Sequence, residues 1–484
     1  MSGSLSNFAA VLDRGYIQMT FKETTGLLFN KTVRTNSTLK RELAILAIPI
    51  FIETLLMMAL GAVDTFMLSK FSDASVAAVG FVNQIINFCF LIFEVINLGT
   101  SVLCSQYLGA GLQSRMERLV GVSLLVNLLF GLSISLLLFF CGEPILIAMG
   151  LNDDMLEEGV SYMRIVGMGS FVMALAMTLS ATLRANNKAY YPMLVIAIVN
   201  VLNITGNYML IFGEFGAPAL GVTGAAISTV VSRSIAMVIL FVIVFRTTLH
   251  RFPMEIFRRF PRTELKNLLR IGLPSAGEQM SYSSSQLVIT YFINMLGMEA
   301  MATRTYCVNI IMFGYLFCIS IAQGGAICIG HLIGANKQES AFILGKYVLK
   351  KSVLFTLIIS VCIACSGPFI MSLLTENRTI ASLAITILWV DVVLEIGRPI
   401  NIFACAALRT AGDVNFPFYV GVVVQWSIAV LASYYFGIVA GMGLVGIWWM
   451  FALDENIRGA IFVRRWYSDK WRNKGFTIHE VTTA

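Results

Sequence analysis

The chain has 484 residues, of which 57% are hydrophobic and only 13% charged, and its formal net charge is +7. A soluble chain of this length carries about a quarter charged residues, so a water-covered surface is excluded and an exterior bathed in lipid is implied. The surplus Lys and Arg lie in short segments beside apolar runs, which is a topological signal and excludes a nucleic-acid-binding surface.

Residues 1–42 are polar and mixed, with no apolar run after a basic start, so they read as a cytoplasmic tail without a signal peptide. Beyond them lie twelve stretches long and apolar enough to cross a bilayer, near 43–68, 75–105, 118–141, 156–183, 188–212, 222–245, 266–295, 299–329, 342–365, 381–407, 416–438 and 441–463. They are too long and too continuously apolar for barrel strands, and in lipid each must satisfy its own backbone, so all are expected to be helices. Basic residues recur at every second junction: Lys40 and Arg41, Arg115 and Arg118, Arg184 and Lys188, the loop from Arg246 to Arg270, Lys337 to Lys351, and Arg464 to Lys474. The loop after the third stretch is instead acidic, with Glu143, Asp153, Asp154, Glu157 and Glu158. The positive-inside rule then places both termini in the cytoplasm of a multi-pass protein of the cell membrane.

The chain repeats itself. "LAIPIFIETL" with Pro49 and Glu53 matches "IGLPSAGEQM" with Pro274 and Glu278, both 225 positions on. "GTSVLCSQYLGAG" matches "GGAICIGHLIGAN", pairing Gly109 with Gly334; "TLRANNKAYYPM" matches "ALRTAGDVNFPF", pairing Arg184 with Arg409. Six spans separate equivalent points, so the halves share one orientation about an axis along the membrane normal. The domains expected are a six-helix lobe at 43–245, a cytoplasmic linker at 246–265, a second six-helix lobe at 266–463 and a cytoplasmic tail at 464–484.

Two lobes around a cleft suit alternating access, and ionisable side chains inside spans are the natural coupling residues, because a charge in lipid is costly. Asp64 in "GAVDTF" is the strongest candidate; its repeat counterpart is Ile289, so the repeat does not demand it. Glu53 and Glu278 each lie one turn after a proline and either face the cleft as cation or substrate sites or tie down loosened helix ends. Asp391 and Glu395 share one helix face, with Arg398 a turn further on, which fits either an ion relay or a structural ion pair. Asp454 and Glu455 are followed by Arg458, and Glu94 is isolated. Asn200, Asn203, Thr205 and Asn207 interrupt the fifth span; Asn203 and Asn207, a turn apart, offer oxygens to a sodium ion or hydrogen bonds to a neighbouring helix. Nine cysteines and three histidines form no ligand cluster. No phosphate loop or hydrolase triad is present, so the chain reads as a non-enzyme without a cofactor, powered by an ion gradient.

With "GAVDTF", "QYLGAG", "HLIGAN", "LRANNKAYYP", "LRTAGDVNFP" and "NITGNYMLIFG" among its motifs, the stretch 40–466 resembles the multidrug and toxic compound extrusion (MATE) family of antiporters. The resemblance implies an all-α polytopic membrane protein, twelve transmembrane helices in two pseudo-symmetric six-helix lobes set in a V, working as a monomer. It implies a cation site from Asp64, Asn203 and Thr229, with Asp64 and Asn203 as ligands if the ion is Na+. Asn207 stands where many members have a second acid. Tyr282 stands where another branch has a seventh-span Glu, with Glu278 a turn earlier. The function implied is export of amphipathic, often cationic small molecules in exchange for Na+ or H+. A flippase for lipid-linked intermediates would need a strongly basic cleft, whereas the cleft candidates here are mostly acidic; a dedicated exporter of one natural metabolite stays open.

Overall fold

The structure, a computed structural model, describes residues 36–249 and 260–476. Most of the expected N-terminal tail, the middle of the expected linker and the end of the expected C-terminal tail lie outside the described residues. The chain divides into two compact units, residues 1–41 and 42–484. Among the described residues the first unit supplies the opening turns of one helix, and the second holds the rest.

The first half holds α1 (Asn36–Phe71), α2 (Asp73–Gly109), α3 (Gln113–Ala148), α4 (Asp153–Met168), α5 (Ser170–Ala185), α6 (Tyr190–Phe212) and α7 (Gly221–Thr247). The second holds α8 (Arg262–Met295), α9 (Met298–Gly334), α10 (Gln338–Leu374), α11 (Arg378–Thr410), α12 (Asn415–Val439) and α13 (Gly443–Tyr467). Every expected span falls on helix, but the fourth is two helices, α4 and α5, bent by 45°. The break is at Gly169, packed against Val230 of α7 where a side chain would not fit. Most helices outrun their apolar stretches, because hydropathy marks the lipid and hydrogen bonding carries the helix on into the polar interface. The basic pair Arg464 and Arg465, expected in the C-terminal tail, belongs to the last turn of α13.

The count of twelve spans is not matched helix for helix. Among the described residues nine helices are long and apolar enough to cross a bilayer, and ten if α4 and α5 count as one. The two that fall short, α8 and α13, are the most polar: α8 carries Glu278, Gln279 and the run Ser283–Ser285, and α13 carries Asp454, Glu455 and Arg458. Lipid is met by apolar stripes instead, such as Leu129, Leu132, Leu136 and Phe140 on α3, all exposed at helical spacing.

The repeat is visible in detail at one end of the bundle. Helices α2, α5, α9 and α11 each end in the same turn, with hydrogen bonds Leu112 N to Tyr107 O (2.8 Å), Lys188 N to Leu183 O (2.9 Å), Lys337 N to Leu332 O (2.8 Å) and Asp413 N to Leu408 O (2.9 Å). Each turn needs one left-handed residue, and those are Gly111 (φ 74°), Asn187 (57°), Asn336 (56°) and Gly412 (91°). Glycine and asparagine are the residues that accept this conformation cheaply. They alternate between the halves, so a shared backbone survives a change of side chain.

At the same end the halves meet in a reciprocal contact. Gly109 lies against the backbone of His331, and Gly334 against the backbone of Gln106. Gln106 donates to the Thr410 carbonyl (2.6 Å), and the His331 ring lies 2.7 Å from the Ala185 carbonyl. Gln106 and His331 are 225 positions apart, as are Ala185 and Thr410, so each half makes on the other the contact it receives.

Candidate functional site

In the first half the sequence brings α6 and α7 unusually close. Gly206 sits on Ser228, and Gly224 on the Leu210 carbonyl. Small residues at such a crossing let side chains a turn away meet across it. Asn203 Nδ2 donates to Thr229 Oγ1 (3.4 Å), and Ser228 Oγ to the Asn203 carbonyl (3.0 Å). One turn further along the same face of α6, Asn207 Nδ2 donates both to Asn203 Oδ1 (3.0 Å) and to Asp64 Oδ1 on α1 (2.6 Å). The result is one unbroken polar line, Asp64–Asn207–Asn203–Thr229, across three helices. Asn203, Asn207 and Thr229 are buried, and Asn207 Oδ1 has no hydrogen-bond donor. A buried amide oxygen without a donor, beside a carboxylate, is a set of acceptors suited to a small cation. Asn200, a further turn back on α6, donates instead to the Leu56 carbonyl (2.8 Å) and anchors α1.

Arg233, one turn beyond Thr229 on α7, acts on Asp64 and on Tyr162 through its charge and lies over the Phe90 ring at 5.9 Å. Sequence reasoning passed over it because it sits alone in an apolar run, and nothing in its spacing points to α1.

The second half carries a denser network. Asp391 accepts from Trp448 Nε1 (3.3 Å) and lies 3.7 Å from Arg398, which also pairs with Glu395. Asn401 donates to Glu455 (2.6 Å), and Arg458 bridges Glu455 (3.0 Å) and Asp454. Tyr282 on α8 is partly exposed and interacts with Glu455, Arg398 and Arg458 only through their charges. Asp391 and Glu395 therefore belong to one network on α11 and α13, and Tyr282 of α8 interacts with it through charge. Trp448 is the network's partner that no spacing pattern could single out.

Glu53 and Glu278 each meet an arginine. Glu53 pairs with Arg184 (2.8 Å) and Glu278 with Arg409. All four are repeat partners, so one ion pair is built twice. Between the halves lies a cavity of about 120 Å³. Arg184 and Arg409 both line it, as do the equivalent residues Leu98 and Gln323, and Ser101 and Ala326, with Glu94 added from α2. The pseudo-twofold axis thus runs through this cavity.

Comparison with known proteins rests on this architecture. A family model described as MatE matches twice in tandem, at residues 49–209 and 274–435, each match opening on one of the two equivalent prolines. The chain belongs to the MatE family. A relative described as "Uncharacterized transporter YisQ" from Bacillus subtilis (strain 168) is 39% identical over 427 residues, 88% of this chain and 94% of that protein. "Probable multidrug resistance protein NorM" from Thermotoga maritima is 24% identical over 443 residues, 91% of this chain and 95% of its own. Among solved structures, one described as the "Outward-facing conformation of a multidrug resistance MATE family transporter of the MOP superfamily" aligns with a TM-score of 0.82 at 21% identity, covering 91% of this chain and all of the other. "Crystal structure of MATE in the bent conformation" aligns with a TM-score of 0.80 at 21% identity, covering 89% and 96%. The fold is therefore that of MATE transporters, and the chain is a multi-pass membrane transporter. Within this MatE chain the four expected cation-site residues stand together in one hydrogen-bonded line, while the expected secondary-site residues divide between the α11–α13 network, to which Tyr282 couples through charge, and the twin ion pairs.

Proposed function

We propose that this chain exports amphipathic, often cationic small molecules, drugs or metabolites, in exchange for Na+ or H+, with both termini in the cytoplasm of the cell membrane. The observation that carries the reading is the polar line from Asp64 to Thr229. A half-buried carboxylate and three buried polar side chains in apolar helices are expensive to keep in lipid unless they handle charge. Asp64 takes the coupling cation; Asn207 Oδ1, Asn203 Oδ1 and Thr229 Oγ1 supply the neutral oxygens that share it. Loading this site changes the charge between α1, α6 and α7 and so biases which side of the transporter is open. The network of Asp391, Glu395 and Glu455, with the charge-coupled Tyr282, offers a second place for a cation or a cationic substrate.

The relatives named as multidrug resistance proteins support the substrate class. A flippase reading gains nothing from the cavity, because its two arginines are each neutralised by a glutamate. The test is efflux of a fluorescent lipophilic cation from liposomes carrying the purified protein, under imposed Na+ or H+ gradients. One of the two gradients is expected to drive transport, and Asp64→Asn to reduce it at least tenfold. Gradient-driven transport that survives Asp64→Asn unchanged would overturn the assigned role.

A further inference from the structure

The residues after α13 do not run off into solvent. Trp471 is buried and stacks on Trp466 with ring centroids 4.2 Å apart and planes 3° from parallel, and its Nε1 donates to the Trp466 carbonyl (2.7 Å). Arg472 pairs with Glu339 at the start of α10 (2.9 Å). Lys474 Nζ donates to Asp413 (2.6 Å), which Arg465 also holds (2.7 Å), and the Lys474 carbonyl packs on Gly412. Every one of these anchors lies in the second half.

The next two residues cross to the first half. Phe476 N–H donates to Gln106 Oε1 on α2 (2.8 Å). Its ring packs against the apolar cluster that joins Leu103 and Tyr107 of α2 to Leu268 and Ile271 of α8, and Arg270 lies 5.6 Å from its centroid. Gln106 is the residue whose Nε2 donates to Thr410 of the second half. One amide thus holds both the α11 terminus and the strap, with its oxygen and its nitrogen each committed.

The equivalent of Gln106 is His331, which reaches the Ala185 carbonyl to make the matching contact.

We propose that residues 468–476 form a strap that locks the two halves together at the end where α2, α5, α9 and α11 terminate, and that Phe476 must leave Gln106 before that end can open. The opening step rests on the proposed alternating-access function; the lock does not. When the halves part there, Gln106 must release Thr410, and a strap tied to the second half but bonded to Gln106 opposes that movement directly.

The experiment is amide hydrogen exchange on the full-length protein in liposomes, which needs no substrate. Phe476→Pro removes the N–H donor and the aromatic ring and fixes the backbone at the far end of the strap, leaving the Trp466–Trp471 stack. Lys474→Glu repels Asp413 and loosens the strap from its anchor by another route. Both are expected to speed exchange at residues 105–111 and 408–414 together by at least fivefold. Faster exchange confined to residues 468–476, or no change at 105–111, would overturn the lock. Because the readout is independent of transport, a strap that behaves as expected while Asp64→Asn leaves transport intact would fault only the coupling assignment.

Discussion

Glu53 shows how far a single residue can be read. Its position a turn after Pro49, and the same arrangement at Pro274 and Glu278, are plain in the sequence, as is the equivalence of Arg184 and Arg409. That Glu53 meets Arg184 is not, because the two lie 131 positions apart and no local pattern links them. Between a cation site and a structural tie, the geometry favours the tie: one guanidinium already neutralises this one carboxylate through Oε1, although Oε2 is buried without a donor. Breaking one partner of a mostly buried pair strands the other charge, at a cost of about 3 kcal/mol, whereas removing both is far milder. Arg184→Met should therefore lower the thermal midpoint more than the double substitution Glu53→Gln with Arg184→Met, a comparison that thermal unfolding in detergent decides. Arg233 is the converse case: a lone charge in an apolar run that spacing could not connect to Asp64, although its charge acts there.

At the level of the helix, the two asparagines a turn apart in "NITGNY" announce a polar face, and the helix period alone puts Asn203 and Asn207 on it. Which helices that face meets is settled by Gly206 and Gly224, where α6 and α7 touch closely enough for Asn203 to reach Thr229. A methyl group at Gly224 would collide with the Leu210 backbone, which cannot swing aside as a side chain would. Gly224→Ala is expected to destabilise the protein by about 1–3 kcal/mol and to weaken transport as Asp64→Asn does, by drawing Thr229 away from the line. Thermal unfolding and the liposome efflux assay together check this; a variant that loses stability but transports normally would separate the crossing from the site. The broken fourth span belongs here too: its apolar run is continuous, and only contact with Val230 reveals why the chain bends at Gly169.

For the molecule as a whole, the reciprocal contact at the ends of α2 and α9 makes a quantitative statement. Gly109 and Gly334 occupy equivalent places against equivalent backbones, so Gly109→Ala and Gly334→Ala should each push the halves apart at that end. Similar drops in thermal midpoint are expected from the two, and a large difference would mean that the two contacts do not carry the interface equally. Length, hydropathy, loop charge and the 225-residue repeat determined by themselves that the chain is a helical membrane protein of two like halves, since lipid leaves the backbone few alternatives and the repeat is written in local motifs. They also picked out Asp64, Asn203 and Asn207 of the polar line, because a polar group in a span is conspicuous, whereas Thr229 came only from the resemblance to the MATE family. What only the tertiary structure decided is partnership: Glu53 with Arg184, Asp391 with Trp448, Phe476 with Gln106. These pairings join residues distant in sequence, and a hydrogen bond or ion pair depends on positions in space that helix packing sets and composition does not record.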